Sequence, residues 1–339
     1  MANPLELLCR GCSDPITDAN RSEAHVIPNA LGGNLKTSAA ICRVCNTELD
    51  RIADNALVEA FGSWPTLLDI PRDRGSNPPR SLETQQGKRV RLDADGRLTK
   101  TDVRYDVSPS GDGHLVEIEA GDWKTFRQLL ARAQKQFSQF DPKSAETFAR
   151  EVAVCDDDAL RLSLDFSPEA VFGGAITAIW LYLIMTTGCA FMDWVRLLDV
   201  IGNTKNHGGT LRYYTKGLPG LTGPDVPLGH KLIVRSVPKS GKLIAYVEIL
   251  EVLRIGGVFA EAPPPAMALE HIHVYDVLGR RERSKEFNID VNEFEAQDWP
   301  SVGLSLADAE ALRAHHAEEM KRVFAARYYK RFEAEGGSA

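Results

Sequence analysis

Cys9-Arg-Gly-Cys12 and Cys42-Arg-Val-Cys45 bracket the stretch Arg21-Ser-Glu-Ala-His25-Val-Ile-Pro28-Asn-Ala-Leu-Gly32-Gly33. The reading of these residues decides the fold of the N-terminal part. Each Cys-x-x-Cys pair can offer two thiolates to one tetrahedral Zn²⁺. Disulfides are rare in a reducing cytosol, and a redox pair needs a thioredoxin-like βαβ context that is absent here. The interval between the pairs exceeds the roughly 15 to 20 residues of a plain zinc ribbon, so something is inserted. Val26 and Ile27 are strand formers, Pro28 ends the strand, and Gly32-Gly33 supplies a turn with positive φ. His25 is therefore predicted on a short strand beside a tight turn. After Cys45, Leu49, Ile52, Ala53, Ala56, Leu57, Ala60 and Phe61 recur at helical spacing. On that helix Asn46, Asp50 and Asp54 span an arc of about 80°, opposite the apolar stripe. A hairpin with a histidine, a helix with an amide and carboxylates, and a zinc clamping the two make a ββα-metal unit.

Composition bounds the rest. The 339 residues suit two or three domains, and a hydrophobic share of 43% suits a packed core. The net charge of −7 excludes a protein that coats nucleic acid through bulk attraction. Residues 1–61 hold five Lys/Arg against eight Asp/Glu, so this unit cannot hold DNA by charge alone. The N-terminus has no basic region followed by a long apolar run, which predicts no signal peptide and a cytoplasmic location. Ala170 to Met192 is uncharged and long enough to span a bilayer. Its flanks are Glu169 and Asp193 rather than Lys or Arg, and glycines interrupt it, so a buried core helix and no membrane contact are expected.

The run Cys-x-x-Cys … His25-Val-Ile-Pro … Leu-Gly-Gly … Cys-x-x-Cys-Asn46 … Asp54 resembles the HNH endonucleases of the zinc-knuckle, His-Ile-Pro type. The resemblance covers roughly residues 9 to 61. It implies that Cys9, Cys12, Cys42 and Cys45 hold a structural zinc. It implies that His25 is the general base that draws a proton from water, and that Asn46 is the motif's asparagine. Asp54 then falls at the final ligand of a catalytic Mg²⁺ or Mn²⁺, with Asn46 beside it and Glu23 or Asp50 as further candidates. The implied reaction is hydrolysis of phosphodiester bonds in DNA. The chemistry agrees: hard cations prefer oxygen ligands, and a largely neutral imidazole suits a base at neutral pH. The sequence departs from the family at Ala24, where an acidic or histidine metal ligand usually precedes the base. Either the site works with Asn46, Asp54, water and phosphate, or Glu23 substitutes, or catalysis is impaired and the unit only binds nucleic acid or serves as a scaffold.

The expected organisation is α+β: an HNH unit at 1–61, a linker and first hairpin at 62–104, and a target- or partner-binding α+β region at 105–339. Segment 72–104 has nine Lys/Arg and five Asp/Glu, and 71–90 reads as a linker. Hairpins are expected between 88 and 120, helices over 122–138, 143–154, 168–187 and 190–201, and a strand over 160–166. Strands 230–237 and 242–250 flank a Pro-Lys-Ser-Gly turn, a bend falls at Pro263–Pro265, and a long helix closes the chain over 304–332. Lys205, Arg212 and Lys216 mix with tyrosines in a glycine-bounded loop, a composition that fits two readings: phosphate contact with base stacking, or a surface loop with core-facing tyrosines. His271 and His273 share one strand face, where metal binding is a minor alternative. Cys155 and Cys189 are expected to be small core residues. The order of a small nuclease before a larger module resembles phage-related HNH proteins and the effector that accompanies short Argonautes in bacterial antiviral defence. That likeness implies gating by the C-terminal region or by such a partner.

Overall fold

The computed structural model describes residues 7–73, 75–94, 98–150, 160–189, 191–203, 211–237, 240–261, 269–298, 318 and 320–323. The chain is α+β and divides into two compact units. One unit comprises Met1–Gly62, Ile70–Gly75 and Leu164–Ala339, and the other comprises Ser63–Asp69 and Ser76–Ser163. This differs from the division expected from sequence at 61 and 104. The first 62 residues share a unit with the second half of the chain because their apolar helix face is buried there.

In the first unit, β1 (Ala24–His25) pairs antiparallel with β2 (Lys36–Thr37), Ala24 opposite Thr37 and His25 opposite Lys36. The connecting turn carries Gly32 at φ +86°, as the sequence predicts. Gly33 is needed for space, because a Cβ there would lie 1.9 Å from the Ile27 carbonyl oxygen. The expected helix follows as α1 (Arg43–Leu49) and α2 (Asn55–Ala60), joined without interruption through a π turn at Asp50–Asp54. The Asn55 N–H bonds the Asp50 carbonyl there, so the turn is wider than an α turn and the uniform spacing assumed for Asn46, Asp50 and Asp54 does not hold.

The second unit contains α3 (Trp64–Leu67), β3 (Arg80–Thr84), β4 (Arg89–Leu92), β5 (Leu98–Lys100), β6 (Arg104–Ser110), β7 (Gly113–Glu119), α4 (Trp123–Gln136), α5 (Pro142–Phe148) and β8 (Leu160–Arg161). Strands β5, β4, β3 and β8 form one antiparallel sheet in that order, and β6 and β7 form a hairpin. The second half of the expected linker at 71–90 is thus a β-hairpin, from Arg80 onward, while its described residues before Arg80 form neither helix nor strand. Leu82, Thr84 and Leu92 are buried on one sheet face while Arg89 and Arg91 point out on the other, a strand alternation that the Pro- and Arg-rich composition masked. The expected strand at 160–166 stops at Arg161, where its pairing with β3 ends. The helix expected over 143–154 ends at Phe148 within the described residues.

The chain then completes the first unit with α6 (Pro168–Thr187), α7 (Trp194–Gly202), β9 (Leu211–Tyr213), β10 (Leu221–Thr222), β11 (Gly229–Val237), β12 (Lys242–Ile249), β13 (Leu253–Glu261), β14 (Glu270–Asp276), β15 (Arg281–Glu282), β16 (Asn288–Ile289) and α8 (Val291–Glu295). Six of these strands form one antiparallel sheet in the order β15-β14-β11-β12-β13-β9. Helix α6 is apolar all round and is long and apolar enough to cross a membrane, yet 78% of its most apolar window is buried inside the protein. It lies between α2 and the β11–β12 hairpin, which explains why no polar face survives in its sequence. A Cβ at Gly174 would come within 2.6 Å of Leu57, so this glycine sets the close approach of α6 to α2. Cys189 is exposed, against expectation, because it follows the left-handed Gly188 that ends α6. Cys155, Pro263–Pro265 and most of the expected terminal helix lie outside the described residues; residues 320–323 within it are helical.

Candidate active site

The zinc knuckles come together as the sequence predicts. The sulfurs of Cys9, Cys12, Cys42 and Cys45 all lie within 4.8 Å of one another, and Cys12 and Cys42 Sγ are 3.7 Å apart. Tetrahedral thiolates at ~2.3 Å from Zn²⁺ would sit about 3.8 Å from each other, so the cluster fits a structural zinc. Backbone N–H groups of Gly11 and Cys42 donate to Cys9 Sγ at 3.3 and 3.2 Å, which orients that thiolate. Gly11 must lack a side chain, since a Cβ would fall 2.5 Å from Cys45 Sγ. Burial, followed by the neighbouring Cys9 sulfur, pushes the Cys45 thiol up, a cost that a bound cation would relieve.

The hairpin sorts its side chains by strand alternation. Ala24 is fully buried on the inner face. Glu23, His25 and Lys36 lie on the outer face, with Lys36 Nζ 3.9 Å from Glu23. His25 is a quarter exposed, and its Nε2 lies 3.3 Å from Asp73 Oδ2. Lys36 pairs with the same carboxylate. Asp73 belongs to Ile70–Gly75, the short segment that returns to the first unit, and its N–H donates to Asn29 Oδ1 at 3.3 Å. Lys36 first, and His25 second, hold the Asp73 carboxyl below the usual carboxylate range.

On the helix the π turn brings the carboxyl groups of Asp50 and Asp54 together. Burial and the adjacent Asp50 push the half-buried Asp54 up to about 8, so one proton is shared where like charges meet. Such a pair of hard oxygen donors suits a divalent cation, which would replace that proton. Asn46 is half-buried one turn earlier. Among the described residues His25 makes no hydrogen bond to Asn46, Asp50 or Asp54.

Of the nucleic-acid contacts expected from sequence, Arg212 is half-buried in β9 with its Nε enclosed by protein, and Lys216 is exposed. Lys205 lies outside the described residues. His271 and His273 lie on one face of β14, and among the described residues they belong to no group of three potential metal ligands. Asp73 is the residue that sequence reasoning missed. The only signal for it was its place in the basic stretch after the helix, and nothing in that stretch foretold a return to His25.

Residues 9–62 match the family model of the HNH endonucleases. The match covers the zinc cluster, the hairpin and the helix through the π turn, and it ends before Asp73. No curated protein and no solved structure matches the chain.

Proposed function

We propose that this protein is a metal-dependent endonuclease that hydrolyses phosphodiester bonds in DNA, with His25 as general base. The reading is carried by one observation: a four-cysteine cluster, an accessible histidine on the hairpin and a carboxylate pair on the helix occur together in the segment that matches HNH endonucleases. Asp54, with Asn46 and Asp50, would hold Mg²⁺ or Mn²⁺, which when bound stabilises negative charge developing on the phosphate and leaving oxygen. The chain's own part is to hold His25 against an attacking water and to accept its proton. Glu23 is a weaker ligand in this reading, because it shares the His25 face with Lys36 and is ion-paired there. The negative charge of residues 1–61 means that the rest of the chain, or a partner such as a short Argonaute, presents the duplex; a role in prokaryotic defence and a cytoplasmic location belong to the same proposal. A second reading, an HNH fold that binds nucleic acid without cutting, is favoured by the burial of Ala24 where the family places a metal ligand.

Supercoiled plasmid and a labelled RNA, each incubated with the full-length protein in Mg²⁺, Mn²⁺ or EDTA, decide between these. Nicking of the plasmid that EDTA stops and His25→Ala lowers by about 10² to 10⁴ is the expected result. Binding without cleavage in either metal would establish the second reading.

A further inference from the structure

Asp73 is held from three sides, which sets it apart from an ordinary surface carboxylate. Its N–H bonds Asn29 Oδ1, its side chain pairs with Lys36, and Oδ2 faces His25 Nε2 at 3.3 Å. Asn29 itself donates to the Gly33 carbonyl at 3.5 Å, so Asp73 is tied to the same turn that follows the histidine. The segment is anchored one step earlier by Ile70, which is buried and would touch any Cβ added to Gly32 at 2.8 Å. None of this depends on the HNH-matched residues alone, because Asp73 lies beyond position 62.

We propose that Asp73 is a positioning residue for the general base. It accepts a hydrogen bond from Nε2–H of His25 and so fixes the tautomer and ring orientation in which Nδ1 is bare and free to receive the proton of the attacking water. The inference rests on the nuclease reading of His25. In the reaction, the water oxygen forms a bond to phosphorus and its proton passes to Nδ1. The bond from phosphorus to the leaving oxygen breaks, its electron pair goes to that oxygen, and the oxygen takes a proton from solvent. The imidazolium then returns its proton to solvent. Asp73 stays ionised throughout and stabilises the imidazolium by charge. Lys36 balances the carboxylate, so a negative group beside the base does not repel the phosphate. A contact of 3.3 Å is long for a hydrogen bond, as catalytic contacts often are before substrate closes on them.

The test uses full-length protein with ¹⁵N-labelled histidine, the His25 signals being assigned by their loss in His25→Gln. Wild type should show His25 as the Nε2–H tautomer, and Asp73→Ala should show a mixture of tautomers while zinc content is unchanged. In plasmid cleavage Asp73→Ala should lower kcat about 10- to 100-fold with KM unchanged, the usual cost of losing an orienting partner. Asp73→Glu should recover part of that loss. An unchanged tautomer in Asp73→Ala, or an unchanged kcat, overturns the inference. The two readings fail separately. If no variant and no wild-type protein cuts, yet the tautomer shifts in Asp73→Ala, the orientation by Asp73 stands and the nuclease reading falls. If cleavage is intact and the tautomer does not move, the positioning role alone falls.

Discussion

The side chains around His25 and those around Glu248 are both clusters of opposite charges on antiparallel strands, and they differ in their access to water. His25, Lys36 and Asp73 are 25%, 32% and 33% exposed. Lys231, Glu248, Glu251 and Arg254 are 11%, 0%, 5% and 7% exposed, on β11, β12, the β12–β13 turn and β13. In the sealed cluster every charge is answered. Lys231 Nζ lies 2.8 Å from Glu248, Arg254 Nε lies 3.4 Å from it, and the Tyr246 hydroxyl donates to it. Arg322 reaches Glu251 at 3.1 Å and so ties residues 320–323 to the sheet. Burial alone would raise the Glu248 carboxyl, yet Lys231 and Arg254 hold it low; burial and Glu248 push Glu251 up. The lesson concerns spare capacity. The sealed cluster has satisfied its charges internally across neighbouring strands, whereas the open one leaves the imidazole side chain partly exposed. Only the second is open to solvent.

The comparison can be broken first at the metal. Cys45→Ser should lose the zinc, measured by elemental analysis of the reduced protein, and with it much of the order of residues 9–62. Structural zinc of this kind carries about 10 to 16 kcal/mol of apparent binding free energy. Because α2 packs on α6, the loss should spread into the sheet and lower the main unfolding transition too. Zinc retained in Cys45→Ser would mean that the hairpin and helix are held by packing alone.

The sealed cluster should be the costlier of the two charge sets to open. Glu248→Ala leaves the buried Lys231 and Arg254 to share Glu251 between them, and should destabilise by about 3 to 5 kcal/mol in denaturant unfolding. Lys36→Met in the open cluster should cost less than about 1 kcal/mol, since water solvates what remains. Equal costs would erase the distinction drawn between the two.

A smaller effect sharpens the link between them. His230 on β11 is buried; its Nε2–H donates to the Leu31 carbonyl in the hairpin turn at 3.0 Å, and Nδ1 accepts from Leu250 N–H at 3.3 Å. Burial, despite the Leu31 carbonyl and with the nearby His273, pushes this histidine down from 6.5 to about 3. The unfolded chain then binds the extra proton below pH ~6.5, so the contribution is complete above that pH and is lost as pH falls towards 3. At pH 5 the loss should be about 2 kcal/mol. Melting of wild type and His230→Gln from pH 7.5 to 5 measures it, and parallel profiles would remove His230 as the link.

Much of the N-terminal chemistry was legible in the residues themselves. Four thiolates at paired spacing have few uses, a Pro28–Gly33 turn has few conformations, and the apolar helix 168–187 could be bounded because Pro168 and Gly188 are a start and a stop. The π turn was not legible in the local pattern; in the fold, Ala53 within it and Leu57 just after it lie against Gly173 and Gly174 of α6, more than a hundred positions away. The stretch 80–90 misled because its arginines speak of solvent, and strand pairing supplies the order that composition does not.

The sequence by itself determined which atoms could bind zinc, which histidine could act as a base, and which helix would be buried, since ligand chemistry and hydrophobic periodicity are local properties. Only the tertiary structure decided what stands behind each of them. It sealed Lys231 and Glu248 while leaving His25 open, put Ala24 on the inner face, and returned Asp73 to the histidine 48 positions before it. The physical reason is that burial and non-local pairing depend on which surfaces the fold brings together, and the free energy of a charge depends on those surfaces more than on its neighbours in the chain.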